Sequence, residues 1–195
     1  CLTMISMTNG AIHPAAEVGR RCRSHRVPFL LDACQAAGQV PLDVNELGCD
    51  FLVYTGRKFM RGPRGTGVLF AKRATVEGLG ATPFVDGRSA VWKLSDEWSH
   101  QPGAQRFEFN EQNFSGKIGL GVATEYALNV GIEAIASRIA KLSKRLRDGL
   151  RKVDGVVVHD VGRHQSGIVT FTLDGVESGH VQTELGRRSI NVSAP

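Results

Sequence analysis

No two cysteines in this 195-residue chain stand at C-x-x-C spacing. There are four, Cys1, Cys22, Cys34 and Cys49, too few for a disulfide framework, so a reduced, cytoplasmic protein is expected. Cys22 and His25 have C-x-x-H spacing, but no second pair completes the four ligands of a zinc site, and no metal is expected. No apolar run approaches the ~18 residues that cross a bilayer. The opening Cys-Leu-Thr-Met-Ile-Ser lacks a basic leader and reads as a strand. Internal repeats and low-complexity segments are missing. So is a basic tail: residues 1–100 hold 12 basic and 9 acidic residues, and residues 101–195 hold 12 and 10. The net charge of +5 is therefore evenly spread, which argues against nucleic-acid and membrane partners. Neither G-x-x-x-x-G-K-[ST] nor G-x-G-x-x-G occurs, and there is no G-x-S-x-G elbow, so the common nucleotide and hydrolase motifs are excluded.

What is present is a globular composition, 42% hydrophobic and 22% charged. The length predicts one domain, or one and part of a second, with a sizeable core. The chain opens without Met and ends on Ser-Ala-Pro, and reads as a segment of a longer protein.

Strands are expected at Leu2–Ser6, Val27–Leu31, Asp50–Thr55 and Gly67–Ala71, with a turn at Thr8–Gly10 and a helix opened by Pro14. This alternation predicts an α/β fold with a mostly parallel sheet. Residues 78–116 read as irregular, a functional or partner-packed loop. A helix follows from about Lys117 to Lys152, bent near Gly131. Ile132, Ile135, Ile139, Leu142, Leu146 and Leu150 form one apolar stripe, and the basic residues off it, Arg147 among them, read as a solvated face. Beyond Gly155, strands at Val156–His159 and Ile168–Leu173, a helix at Ser178–Arg188 and a strand start at Ile190–Ser193 predict a smaller α+β piece. The expected domains are 1–130, a connecting helix 131–152, and 153–195.

Two segments carry chemistry. In Leu30-Leu31-Asp32-Ala33-Cys34-Gln35 a carboxylate ends an apolar strand, with an amide three residues on. Ligands in open α/β sheets collect at such strand ends. The plainer reading of Asp32 is a helix N-cap. In Thr55-Gly56-Arg57-Lys58, Lys58 follows another strand end, 26 residues after Asp32. From Phe51 to Val76 there are six Lys or Arg and no Asp or Glu. A lysine among cations holds its proton less tightly and attacks carbonyls better. Thr55, Arg57 and nearby N–H groups could hold a phosphate. The plainer reading is a solvated basic loop with turn glycines. Gly62-Pro63-Arg64-Gly65 also matches the GXXG clamp of an RNA-binding KH domain, but a strand follows where that domain has a helix.

Together these segments resemble the class V aminotransferase family, the fold type I pyridoxal-phosphate (PLP) enzymes that include the cysteine desulfurases. The family's D-[AG]-x-Q, [ST]-G-H-K and G-P-x-G-x-G are similar to Asp32-Ala33-Cys34-Gln35, Thr55-Gly56-Arg57-Lys58 and Gly62-Pro63-Arg64-Gly65-Thr66-Gly67. Thr8-Asn9-Gly10 resembles its upstream Asn turn, and Arg106-Phe107-Glu108 its R-F-E segment. The resemblance implies a partial PLP-binding large domain joined by a long helix to part of a small C-terminal domain. It implies that Lys58 carries PLP as a Schiff base and later serves as general base and acid at the substrate Cα. Asp32 would pair with the pyridinium nitrogen, Gln35 and Asn9 with the phenolic oxygen, and Thr55 and Arg57 with the phosphate; Arg57 stands where most relatives have His. A small amino acid would be the substrate and a homodimer the full-length assembly. Phe109-Asn110-Glu111-Gln112 stands where relatives place a further phosphate-binding Thr. Cys34 is expected to pack beside the site rather than accept sulfur. A non-catalytic relative that keeps only the fold, and a basic nucleic-acid-binding protein, are the alternatives.

Overall fold

The computed structural model describes residues 1–194 and divides into two compact units. Residues 1–4 and 13–136 form the first, and residues 5–12 with those from 137 onward form the second.

The first unit is built on a four-stranded sheet: β1 (Leu2–Thr3), β2 (Leu30–Asp32), β3 (Phe51–Thr55) and β4 (Gly67–Ala71), in that spatial order. β1, β2 and β3 are parallel, and β4 returns antiparallel to β3 with Thr55 opposite Gly67. The expected α/β class with a mostly parallel sheet holds. Parallel strands carry continuous apolar runs; here Phe29, Leu31 and Leu52 are buried, while Leu30, Phe51 and Val53 are half-buried. Helix α1 (Ala15–Ser24) starts after Pro14. α2 (Val44–Leu47) is opened by Asp43, whose Oδ1 accepts the Asn45 N–H at 2.7 Å. A short α3 (Arg73–Glu77) follows β4.

Residues 78–116 hold more order than the sequence predicts. They form a hairpin of β5 (Ala90–Trp92) and β6 (Trp98–His100), and a 3-10 turn at Gly103–Phe107. Trp92 and Trp98 face each other across the hairpin, ring centroids 6.5 Å apart, a cross-strand aromatic pair that no Asn-Gly turn signal announces. Asn113 then caps α4 (Phe114–Val130), accepting the Gly116 N–H at 2.8 Å. Ala127 of α4 packs with Ala37 and Met60, so the helix braces the two segments singled out by sequence. The chain breaks at Gly131 and continues as α5 (Ile132–Leu150).

In the second unit, β7 (Val156–Val158) pairs antiparallel with β8 (Phe171–Leu173), followed by α6 (Ser178–Arg187). Residues 5–12 join it through bridges of Ile5 to Ile12 and Ala11 to Gln165. No strand starts at 190–193 among the described residues. The Ile190 N–H is spent on Leu185 O at 2.9 Å, closing the end of α6.

The solvated-face reading fails at Arg147. Its side chain is 4% exposed and paired with fully buried Asp160. It also donates to Ser166 O at 2.7 Å and Ile168 O at 2.8 Å. Asp160 in turn accepts the Thr170 N–H and hydroxyl. Leu142 and Leu146 of the apolar stripe are about half exposed instead, at 45% and 51%. A guanidinium with acceptors on several sides can be buried, and periodicity alone does not reveal them. Breaking a buried pair leaves a charge with no compensation. Arg147→Ala is therefore expected to cost about 3–5 kcal/mol of stability in this unit. Urea unfolding checks it: a midpoint unchanged from wild type would show that the pair holds nothing.

Candidate functional site

Asp32 ends β2 opposite Val53, two residues before β3 ends at Thr55. The strands are parallel, so Asp32 and Thr55 leave the sheet at the same, carboxyl edge. After Asp32 the chain folds into a turn, with the Ala36 and Ala37 N–H groups donating to Ala33 O. Asp32 Oδ1 accepts the Cys34 N–H at 2.9 Å. The carboxylate thus holds one N–H, as a cap would, but a turn follows in place of a helix. Among the described residues no cation forms an ion pair with Asp32.

Gln35 is buried, and its side-chain amide has no hydrogen bond to the protein among the described residues. Its carbonyl accepts Gln39 Nε2 at 2.5 Å, which ties the turn to itself.

The Cys34 thiol records how the two segments meet. Burial pushes it up, and the hydrogen bond to Asp32 and that carboxylate's charge add to the effect. A backbone hydrogen bond from Thr55 and the charge of Lys58 oppose it in part. Asp32, Thr55 and Lys58 therefore converge on one thiol that stays protonated at neutral pH. Such a thiol is a poor nucleophile, consistent with a packing role for Cys34.

Lys58 sits in a loop closed at its base by the Gly56 N–H on Thr66 O (2.9 Å) and the Gly62 N–H on Gly56 O (2.7 Å). It is half-buried, Arg57 is exposed, and neither forms an ion pair among the described residues. The Thr55 hydroxyl makes only a long bond, 3.4 Å, to Thr66 O. Gly38, which the sequence reading passed over, brings the segments together. Its φ is +82°, and a Cβ there would lie 2.6 Å from the Phe59 backbone. Only glycine lets the loop after Lys58 approach the turn after Asp32 so closely. A glycine ending the Ala-Cys-Gln-Ala-Ala turn was the available signal.

Asn9 lies in the second unit, where its Oδ1 accepts the Ala11 N–H at 3.1 Å. Of the R-F-E residues, Arg106 is buried and donates to Val76 O (3.0 Å) and Gly80 O (2.5 Å), while Glu108 pairs with Arg88 at 2.7 Å. No group of three or more His, Cys, Asp or Glu able to hold a metal occurs among the described residues, and no described helix is long and apolar enough to cross a membrane.

The family model for aminotransferase class-V matches residues 1–194. A probable cysteine desulfurase of Halalkalibacterium halodurans is 32% identical over 191 residues, 97% of this chain and 46% of the relative. The apo structure of a cysteine desulfurase from Thermococcus onnurineus superposes with a TM-score of 0.90 at 28% identity, covering 98% of this chain and 48% of that one. Two structures of C-DES, each at TM-score 0.88 and 27% identity, cover 100% of this chain and 52% of theirs. One is the cystine C–S lyase with its reaction product cysteine persulfide; the other is a mutant with glycine covalently linked to the PLP cofactor. The chain spans less than half the length of the curated relatives at 45% and 46% coverage.

Proposed function

The chain belongs to the class V aminotransferase family, and from that premise we propose that it forms the lysine-bearing part of a PLP-dependent enzyme acting on a small amino acid. Cysteine desulfuration or C–S lysis is the favoured reaction type, because the similar proteins are described as cysteine desulfurases and a cystine C–S lyase. The intact enzyme of this proposal has the relatives' length and is a homodimer, with residues 153–195 contributing part of a small C-terminal domain.

One observation carries the reading. A carboxylate, a primary amine and a side-chain amide gather at the carboxyl edge of the sheet, without a protein ion pair for the first two or a protein hydrogen bond for the third among the described residues. This donor set suits PLP, which offers an aldehyde to an amine, a ring nitrogen to a carboxylate and a phenolic oxygen to an amide. PLP, when bound, supplies an electron sink for negative charge developing at the substrate Cα.

The residues divide the work. The Asp32 carboxylate holds a proton on the ring nitrogen. The Gln35 amide orients the phenolic oxygen. The Thr55 hydroxyl and the Arg57 guanidinium would hold the phosphate, Arg57 as a fixed cation. Lys58 Nζ holds the cofactor until substrate arrives, then takes and returns the proton at Cα. Cys34 remains protonated and keeps the Asp32 side chain in place.

Titration with PLP tests the reading. The intact enzyme is expected to turn yellow with saturable visible absorbance and to release alanine from cysteine. Colourless protein with no cofactor retained after desalting would favour the non-catalytic relative.

A further inference from the structure

The opposite edge of the same sheet carries a second concave site. β2 and β3 begin there and antiparallel β4 ends there, so it faces away from Asp32 and Thr55. Arg23 of α1, Arg26 of the loop before β2 and Lys72 after β4 surround a cavity of about 230 Å³. Gly48, Asp50 and Thr75 complete its wall.

The charge in this cavity is not balanced. Asp50 is its one carboxylate, and both oxygens are already engaged: Oδ2 accepts the Phe29 N–H at 2.9 Å and Oδ1 accepts the Thr75 hydroxyl at 2.8 Å. Arg23, Arg26 and Lys72 form no ion pair and no side-chain hydrogen bond among the described residues. Three cations against one carboxylate leave an excess of two positive charges around one cavity.

The backbone gives independent support. Arg26 has φ +54°, in the left-handed region that glycine or asparagine adopts more readily. The turn does not call for arginine, so its presence there is better explained by the side chain than by the fold. Gly48, at φ +65°, ends α2, and a Cβ on it would lie 2.5 Å from Arg23 Nη2. The Arg23 guanidinium thus lies over the backbone of Gly48, at the cavity wall.

We propose that this cavity binds a small phosphate-bearing anion, with Arg23, Arg26 and Lys72 as its ligands. Guanidinium groups match phosphate oxygens in bidentate geometry, and an ammonium adds a point charge. The volume is below the ~300 Å³ of ordinary drug-sized pockets and fits a phosphate with a short stem. It is too small to enclose an extended acidic peptide. The site is separate from the Lys58 edge and does not depend on the function proposed for that edge.

Equilibrium dialysis tests it, with inorganic pyrophosphate and ribose 5-phosphate as probes at about 0.01 M ionic strength, where the Debye length is ~30 Å. Saturable binding is expected, weakened about five- to tenfold by Lys72→Gln and by Arg26→Gly, and abolished by the two together. Arg26→Gly suits the positive φ, so loss of binding in that variant is not loss of fold. All measurements use an Arg57→Gln background, which removes the guanidinium proposed to hold a phosphate at the other edge, so the binding read belongs to this cavity. Binding of both probes assigns the site to phosphate esters, and of pyrophosphate alone to free inorganic anions. Absence of saturable binding, Lys72→Gln and Arg26→Gly together binding like their Arg57→Gln parent, or a Glu-rich peptide that binds more tightly than either probe would overturn the proposal.

Discussion

Lys58→Ala is expected to lower the turnover of cysteine by the intact enzyme by a factor on the order of 10³ or more, since general acid–base catalysis alone contributes 10²–10⁴. The variant loses two functions at once: the amine that holds the cofactor, and the group that moves the proton at Cα. Lys58→Arg separates charge from chemistry. A guanidinium keeps the positive charge in the loop but does not deprotonate in proteins, so this variant should be nearly as inactive. Steady-state rates of alanine release check both. Because Lys58 forms no ion pair among the described residues, neither change removes a stabilising pair, and thermal unfolding of the cofactor-free forms should shift little. Turnover within a few-fold of wild type in either variant would remove Lys58 from the reaction.

Asp32→Asn tests the other end of the cofactor. Asparagine keeps the oxygen that accepts the Cys34 N–H, so the turn after β2 should survive. It lacks the negative charge that keeps the ring nitrogen protonated. An interaction of that kind supplies several kcal/mol, so turnover should drop by roughly 10²-fold or more while part of the cofactor stays bound. Rates and cofactor absorbance measured on the same preparation distinguish the outcomes. Unchanged turnover would return Asp32 to holding its turn and nothing else.

The sheet was readable because parallel strands carry apolar runs ending at marked residues: Leu30-Leu31 before Asp32, Phe51-Leu52-Val53 before Thr55. Lys58 and Asp32 were readable because each follows a strand end by zero to three residues, where local sequence sets position. Features that depend on distant partners were not. Nothing near Arg147 announces Asp160 or the carbonyls of Ser166 and Ile168. The β5–β6 hairpin rests on a Trp92–Trp98 contact rather than on turn chemistry. Gly38 is one of 23 glycines, and its role shows only once the Phe59 backbone is beside it. Of the cations of the second cavity, Lys72 lies far in sequence from Arg23 and Arg26 and meets them because β2 and β3 start where β4 ends.

The central claim is that the Lys58 amine is the covalent seat of the cofactor. Borohydride reduction of the intact enzyme with bound PLP, followed by proteolysis and mass spectrometry, tests it most directly. The account predicts one phosphopyridoxyl group, on the peptide containing Lys58 and on no other lysine. Stoichiometric label on a different lysine, with Lys58 unmodified, would contradict it.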